Sequence, residues 1–213
     1  MNILKPQKVL FDKLRIVENF ETELKSDIEL ENISVENCFL ENPRVYEVSI
    51  EKAVFKNVSI VGGNLEKSNF TDVEFINCNF SNTSFENSIF IRCEFKNCKM
   101  TGCNFIEARL YNVSFQETNI NYANLSITSM ENVLFKNTGL RNSNFQENVL
   151  KNVYFERVDL TQAMITKTSL KNIDLSDSII EGIAVSIDDI KGATINQFQA
   201  VDLLNLIGVK IKI

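Results

Sequence analysis

Residues 70–90 read FTDVEFINCNFSNTSFENSIF, with Phe70, Phe75, Phe80, Phe85 and Phe90 evenly spaced at five. Five matches neither the 3.6-residue period of a helix face nor the period of two of a strand face. The spacing extends far beyond this stretch. From Leu30 to Ile195, all 34 multiples of five are apolar. The register never slips, so the array contains no inserted loop.

The position two before each multiple of five is also selective. Of 32 such sites between residues 28 and 183, 26 hold Ala, Ser, Cys, Thr, Val or Gly; the exceptions are Ile28, Ile33, Pro43, Asn148, Ile173 and Ile183. One large and one small inward residue per five, separated by polar ones, predicts a narrow, close-packed solenoid. A second period sets the winding. Asn37, Asn57, Asn77, Asn97 and Asn137 lie multiples of twenty apart, as do Asn112, Asn132, Asn152 and Asn172. A coil of twenty residues stacks them as ladders, with each amide bonding the next, and Asn tolerates the turn a corner requires. Four pentapeptides per coil make a four-sided rod about 40 Å long at ~4.8 Å per coil.

This pattern resembles the pentapeptide-repeat proteins, whose fold is an all-β solenoid, a right-handed quadrilateral β-helix. The organisation expected is an N-terminal cap with irregular first coils over 1–27, the solenoid over 28–195, and a C-terminal element over 196–213. Arg15 and Lys25 occupy would-be core positions in the first of these. In the last, Asn196 starts a short helix carrying Phe198, Val201, Leu204 and Ile207, and Gly208 stops it. Val209 and Ile211 then alternate with lysines, as in a short strand. This end could seal the last coil or clasp a second copy, and those six apolar residues are its candidate dimerisation set.

Chemistry is scarce. There is no histidine, no glycine-rich phosphate loop, no nucleophile elbow and no Cys-x-x-Cys. The five cysteines, Cys38, Cys78, Cys93, Cys98 and Cys103, all take the small inward position, so they are expected in the core with no metal bound. Cys78 and Cys98 should stack one coil apart. No cofactor and no enzymatic activity are expected. A formal charge of −6 disfavours binding nucleic acid or an anionic membrane directly. The chain lacks a signal-like start and a membrane-length apolar run, so reduced thiols in the cytoplasm are expected.

Function should therefore lie on the outer faces. The wall centred on Leu65, Phe85, Phe105, Leu125 and Phe145 carries Glu47, Glu66, Glu86, Glu107 and Glu147, opposed by Arg44, Lys67 and Lys167. The next wall but one carries Glu74, Glu94, Glu117, Glu156, Asp174 and Asp177, diluted by Lys56, Lys96, Lys136 and Arg157. The first is the candidate partner-binding stripe.

Two segments resemble the Qnr branch of pentapeptide-repeat proteins. Residues 118–145 contain Tyr122-Ala123-Asn124-Leu125-Ser126, similar to a Tyr-x-Asn-Leu-Ser run of that branch. Residues 190–211, IKGATINQFQAVDLLNLIGVKI, are similar to its terminal pattern of Gly, an inward aliphatic, Gln-Ala, a Leu-rich helix and Ile-Gly. The resemblance implies a rod-shaped homodimer joined at the C-terminal ends, with DNA-like size and charge. It would engage DNA gyrase and topoisomerase IV and protect them from quinolones. Many members carry two loops that interrupt the coil, and this chain has neither. The competing expectation is a repeat scaffold for some other protein partner.

Overall fold

Every fifth side chain turns inward because the backbone bends at a fixed place in each pentapeptide. The computed structural model describes residues 3–5 and 14–209, and within it the residue two after nearly every inward multiple of five has a left-handed backbone. Examples are Asn37 (φ 52°), Asn57 (φ 54°), Asn77 (φ 54°) and Asn97 (φ 52°). Asparagine and glycine reach that region at little cost, and asparagine holds half of these corners, 14 of 28 non-glycine residues. Four corners close one coil. Strand partners from Glu29↔Ser49 to Asp174↔Thr194 accordingly pair parallel at a separation of twenty. We name the four walls after their first inward residues, Leu30, Val35, Leu40 and Val45.

The walls are not alike. Along the Leu30 and Val35 walls the chain stays extended through the corner, giving eight-residue strands such as Glu29–Glu36, Ser49–Lys56 and Arg109–Gln116 in one nine-stranded sheet. Along the Leu40 and Val45 walls the first coils run as three-residue strands, and from Phe80 onward tight turns close corners, as in Thr83 N–H to the Phe80 carbonyl at 3.0 Å and Ala108 N–H to that of Phe105 at 3.0 Å.

The interior is a stack of rings. On the Val35 wall Phe55, Phe75, Phe95, Phe115, Phe135 and Phe155 lie nearly parallel, with successive centroids 4.5 to 5.3 Å apart. The small inward residues have a second purpose that their size alone does not reveal. Their hydroxyls and thiols donate to carbonyls of the preceding coil: Thr83 to Ile60 at 2.7 Å, Thr128 to Phe105 at 2.9 Å, Cys103 to Phe80 at 2.8 Å. Ser88 and Thr168 also accept the Ser68 and Asn148 N–H groups. These bonds give buried backbone groups partners from the neighbouring coil. Asn148 is the exception: its carbonyl oxygen accepts the Thr128 N–H at 2.8 Å, while its buried Nδ2 has no partner among the described residues.

The asparagine ladders form in part. Asn57, Asn77 and Asn97 each donate to the asparagine one coil earlier at 2.8 to 3.3 Å, and Asn152 does so to Asn132 at 3.0 Å. Asn112 breaks the second ladder by accepting the Leu4 N–H at 3.2 Å, and Asn137 accepts from Arg157 at 2.8 Å.

Both ends depart from the twenty-residue rule. At the N-terminal end the strand Arg15–Val17 pairs with a separation of eighteen, Arg15↔Ile33 and Val17↔Val35. This corrects the expectation that Arg15 points at the core. The two-residue slip sends Val17 inward and leaves Arg15 outside, in a bidentate pair with Glu23 at 2.7 Å. The short helix Phe20–Glu23 then lays Phe20 across the open end, edge-on to Phe55 at 5.4 Å, with Leu24 beside it. At the other end the helix Gln199–Leu203 continues as a 3-10 turn over Leu204–Ile207. Gln199 is buried; its amide donates to the Leu175 and Ser178 carbonyls at 2.7 and 2.6 Å. Leu203 and Leu206 pack on the core.

Candidate protein-interaction face

The Val45 wall is built on buried Leu65, Phe85, Phe105, Leu125 and Phe145. The residues preceding them, Asn64, Ser84, Asn104, Asn124 and Asn144, align through parallel bridges. The carboxamides of the four asparagines fold back on the chain. Asn64 Oδ1 accepts the Glu66 N–H at 2.9 Å, Asn104 that of Ile106 at 3.1 Å and Asn144 that of Gln146 at 2.9 Å. These Asx turns fix the residue after each inward one. Sequence periodicity does not flag them, because each bond spans two residues and lies outside the core pattern.

The acidic residues expected on this wall occupy two adjoining columns. Glu66 and Glu86 follow Leu65 and Phe85 on the flat wall and are half-buried. Glu86 accepts the Asn104 amide at 3.1 Å. Glu47, Glu107 and Glu147 sit one residue further on, at the left-handed corner, and are exposed. Lys67 and Lys167 share that corner column. Lys167 pairs with Glu147 at 2.8 Å, a bond that raises the ammonium pKa but in so exposed a place contributes little. Among the described residues, Glu47, Glu66 and Glu107 make no ion pair.

The rival Val35 wall is paired in part, with Glu117, Asp174 and Asp177 in no ion pair among the described residues. Lys96 bonds both Glu94 (2.5 Å) and Glu74 (3.4 Å), and Lys136 bonds Glu156 at 3.3 Å. Among the described residues both walls thus keep carboxylates outside any ion pair, and those of the Val45 wall fall in successive coils, at Glu47, Glu66, Glu86 and Glu107.

The candidate dimerisation residues divide. Phe198 and Val201 are 75% and 49% exposed, Val209 is exposed and Leu204 half-buried. Helical spacing suggested one apolar face, but the core side of this short helix is Gln199, Leu203 and Leu206. Ile211 lies outside the described residues, as does most of the expected terminal strand. The backbone of Ile207 falls in the 3-10 turn.

Cys78, Cys93, Cys98 and Cys103 are buried and all five thiols are free. Burial pushes Cys93 and Cys103 up to about 12. Among the described residues no three His, Cys, Asp or Glu side chains converge as a metal site, and no helix is long and apolar enough to cross a membrane.

A parallel four-sided β-solenoid with one buried ring or aliphatic chain per five residues defines the class. Family models match it: a pentapeptide repeat region over residues 88–165 and pentapeptide repeats (8 copies) over 49–91 and 68–105. The chain belongs to the pentapeptide-repeat family. No curated protein matches in sequence. Among solved structures it is similar to a trypsin-treated variant of QnrB1, a plasmid-mediated fluoroquinolone resistance protein (17% identity, TM-score 0.42, covering 86% of this chain and 99% of that one). It is also similar to HetL, involved in heterocyst differentiation regulation in Nostoc sp. strain PCC 7120 (17%, 0.49, 80% and 84%). A third is a thylakoid-lumen pentapeptide repeat protein of Arabidopsis thaliana (18%, 0.33, 68% and 77%). At these identities the likeness is one of fold.

Proposed function

We propose that this protein is a non-enzymatic DNA mimic that binds the DNA-gripping surface of type II topoisomerases, DNA gyrase and topoisomerase IV. It would protect them from quinolones. The observation that carries this is the set of carboxylates Glu47, Glu66 and Glu107 along one straight wall, none of them in an ion pair among the described residues. With Glu86 they place one carboxylate in each of four successive coils, across two adjoining columns, which suits a basic protein groove shaped for a duplex. The Qnr-like segments at 118–145 and 190–211 point to the target. The exposed apolar residues Phe198, Val201 and Val209 would join two copies end to end and double the length of the rod.

The test is a gyrase supercoiling assay with ciprofloxacin, titrated with this protein and with a triple variant, Glu47→Lys, Glu66→Lys and Glu107→Lys. Glu86 is left intact because its carboxylate holds Asn104. Protection by the wild type, weakening as salt rises, and none by the folded triple variant is the expected result. If the variant acts like the wild type, the Val45 wall is not the contact. If the wild type leaves both topoisomerases unaffected, the chain is a scaffold for another partner.

A further inference from the structure

Two left-handed corners stand apart from the rest. Among the 28 non-glycine residues with positive φ, Ile127 (φ 57°) is the only β-branched one and Tyr122 (φ 61°) the only aromatic. A branched or bulky side chain crowds the backbone there, which is why asparagine and glycine dominate such positions. Each residue is also exposed, Tyr122 at 64% and Ile127 at 51%. Burial therefore offsets the strain at neither site. Strain kept with no gain in packing marks a residue retained for something outside the fold.

Their placement says what. Tyr122 and Ile127 are the two corners of one pentapeptide, and they bracket the Val45 wall at Leu125. In its own corner column Tyr122 lies between Gly102 and Asn142, so its ring rises above smaller neighbours. Ile127 lies between Glu107 and Glu147. On the floor between them the carboxamide oxygen is already occupied: Asn124 Oδ1 accepts the Ser126 N–H at 3.1 Å and the Ser126 hydroxyl at 2.8 Å. A partner can cover that oxygen with apolar surface without stranding it.

We infer that Tyr122 and Ile127 form an apolar clamp on the acidic wall that seats an aliphatic or aromatic side chain projecting from a basic protein surface, and so set which basic surface binds. The flanking Glu107 and Glu147 fix the sign of the partner's charge, while the two apolar corners supply contact that salt does not screen. The inference rests on the topoisomerase-binding proposal above and names the residues that would give it specificity over plain charge attraction.

The experiment uses the full chain with Tyr122→Asn and Ile127→Asn together, purified DNA gyrase as the probe, and the triple lysine variant as control. Melting is measured first. Replacing both residues by the type that normally holds these corners should raise the melting temperature by roughly 2–4 °C. Binding to gyrase, at low and at high salt, should weaken about tenfold or more at both. A lowered melting temperature would remove the strain argument and overturn the inference. Wild-type binding by the double asparagine variant, with binding lost in the triple lysine variant, would overturn the clamp and leave the acidic wall standing. No binding by the wild type at either salt would overturn both.

Discussion

The two ends of the rod solve one problem with different chemistry. A solenoid exposes an apolar cross-section and a row of unpaired backbone groups at each end. The N-terminal end covers the cross-section, with Phe20, Leu24 and Val17 continuing the core beyond Phe55. The C-terminal end attends to the backbone, where the buried amide of Gln199 caps the Leu175 and Ser178 carbonyls and, among the described residues of the helical segment, two leucines, partly buried, pack on the core. One end is sealed by area and the other by hydrogen bonds. They should therefore fail differently.

The largest expected effect is at the aromatic seal. Phe20→Ala should destabilise by about 3–5 kcal/mol, since Phe55 and its neighbours cannot collapse into the void. Thermal or urea unfolding within error of the wild type would show that this end needs no plug.

At the polar seal, Gln199→Ala should cost about 1–3 kcal/mol, because two carbonyls lose their donor. Gln199→Leu sharpens the contrast. If apolar area were what mattered here, leucine would restore stability; a hydrogen-bonding cap predicts that it does not. Equal melting of the leucine variant and wild type would make the two ends alike after all.

Mid-rod, Asn148 tests the same hydrogen-bond logic in reverse. One coil on, the Thr168 hydroxyl accepts the Asn148 N–H and donates to the Phe145 carbonyl, and one coil back the Thr128 hydroxyl donates to that of Phe105. Asn148→Thr should remove the buried unpaired amide and raise stability by about 1 kcal/mol. A loss of stability measured by urea titration would mean that the site has relaxed around asparagine.

Thiol labelling gives the smallest effect and reads fraying. Cys38, half-buried near the N-terminal end, should react first. Cys93 and Cys103, held near 12 by burial, should react only on global opening. Their neutral thiols add stability that is full below about 9.0 and drains as pH climbs towards 12, because the unfolded chain ionises first. Labelling of Cys103 as fast as Cys38 in native buffer would place the weak end elsewhere.

The walls were legible in the sequence because period five repeats without a break from Leu30 to Ile195. A size pattern of that length cannot be satisfied by a helix or a flat sheet. Less legible was what depends on direction within one residue. Glu66 and Glu107 both follow an inward residue, yet one lies on a wall and the other at a left-handed corner, because they sit one and two places after it. The N-terminal slip to eighteen could not be read because Arg15 still falls on a multiple of five. At the C-terminus, Phe198 and Val201 form an apolar arc, but a helix of one or two turns can dock by either side. The anchor was instead Gln199, a polar residue that no hydrophobic pattern selects. Which carboxylates of the Val45 wall are spare emerged only when Lys167 was seen to reach Glu147 and the Asn104 amide to reach Glu86.

The twenty-residue pairing has a consequence for how such a chain can change over generations. Each coil touches only the coils before and after it, so removal of twenty residues, such as 110–129, shortens the rod and returns every later side chain to the same wall. Removal of five keeps large residues inward and small ones between them, but turns everything downstream by a quarter of a revolution. The core would tolerate both, since it reads only position within the pentapeptide. The acidic wall would not tolerate the second, because its far half would face another side and leave the C-terminal apolar residues re-aimed. Twenty is thus the step in which this architecture can alter its reach, and five the step in which it can alter its aim.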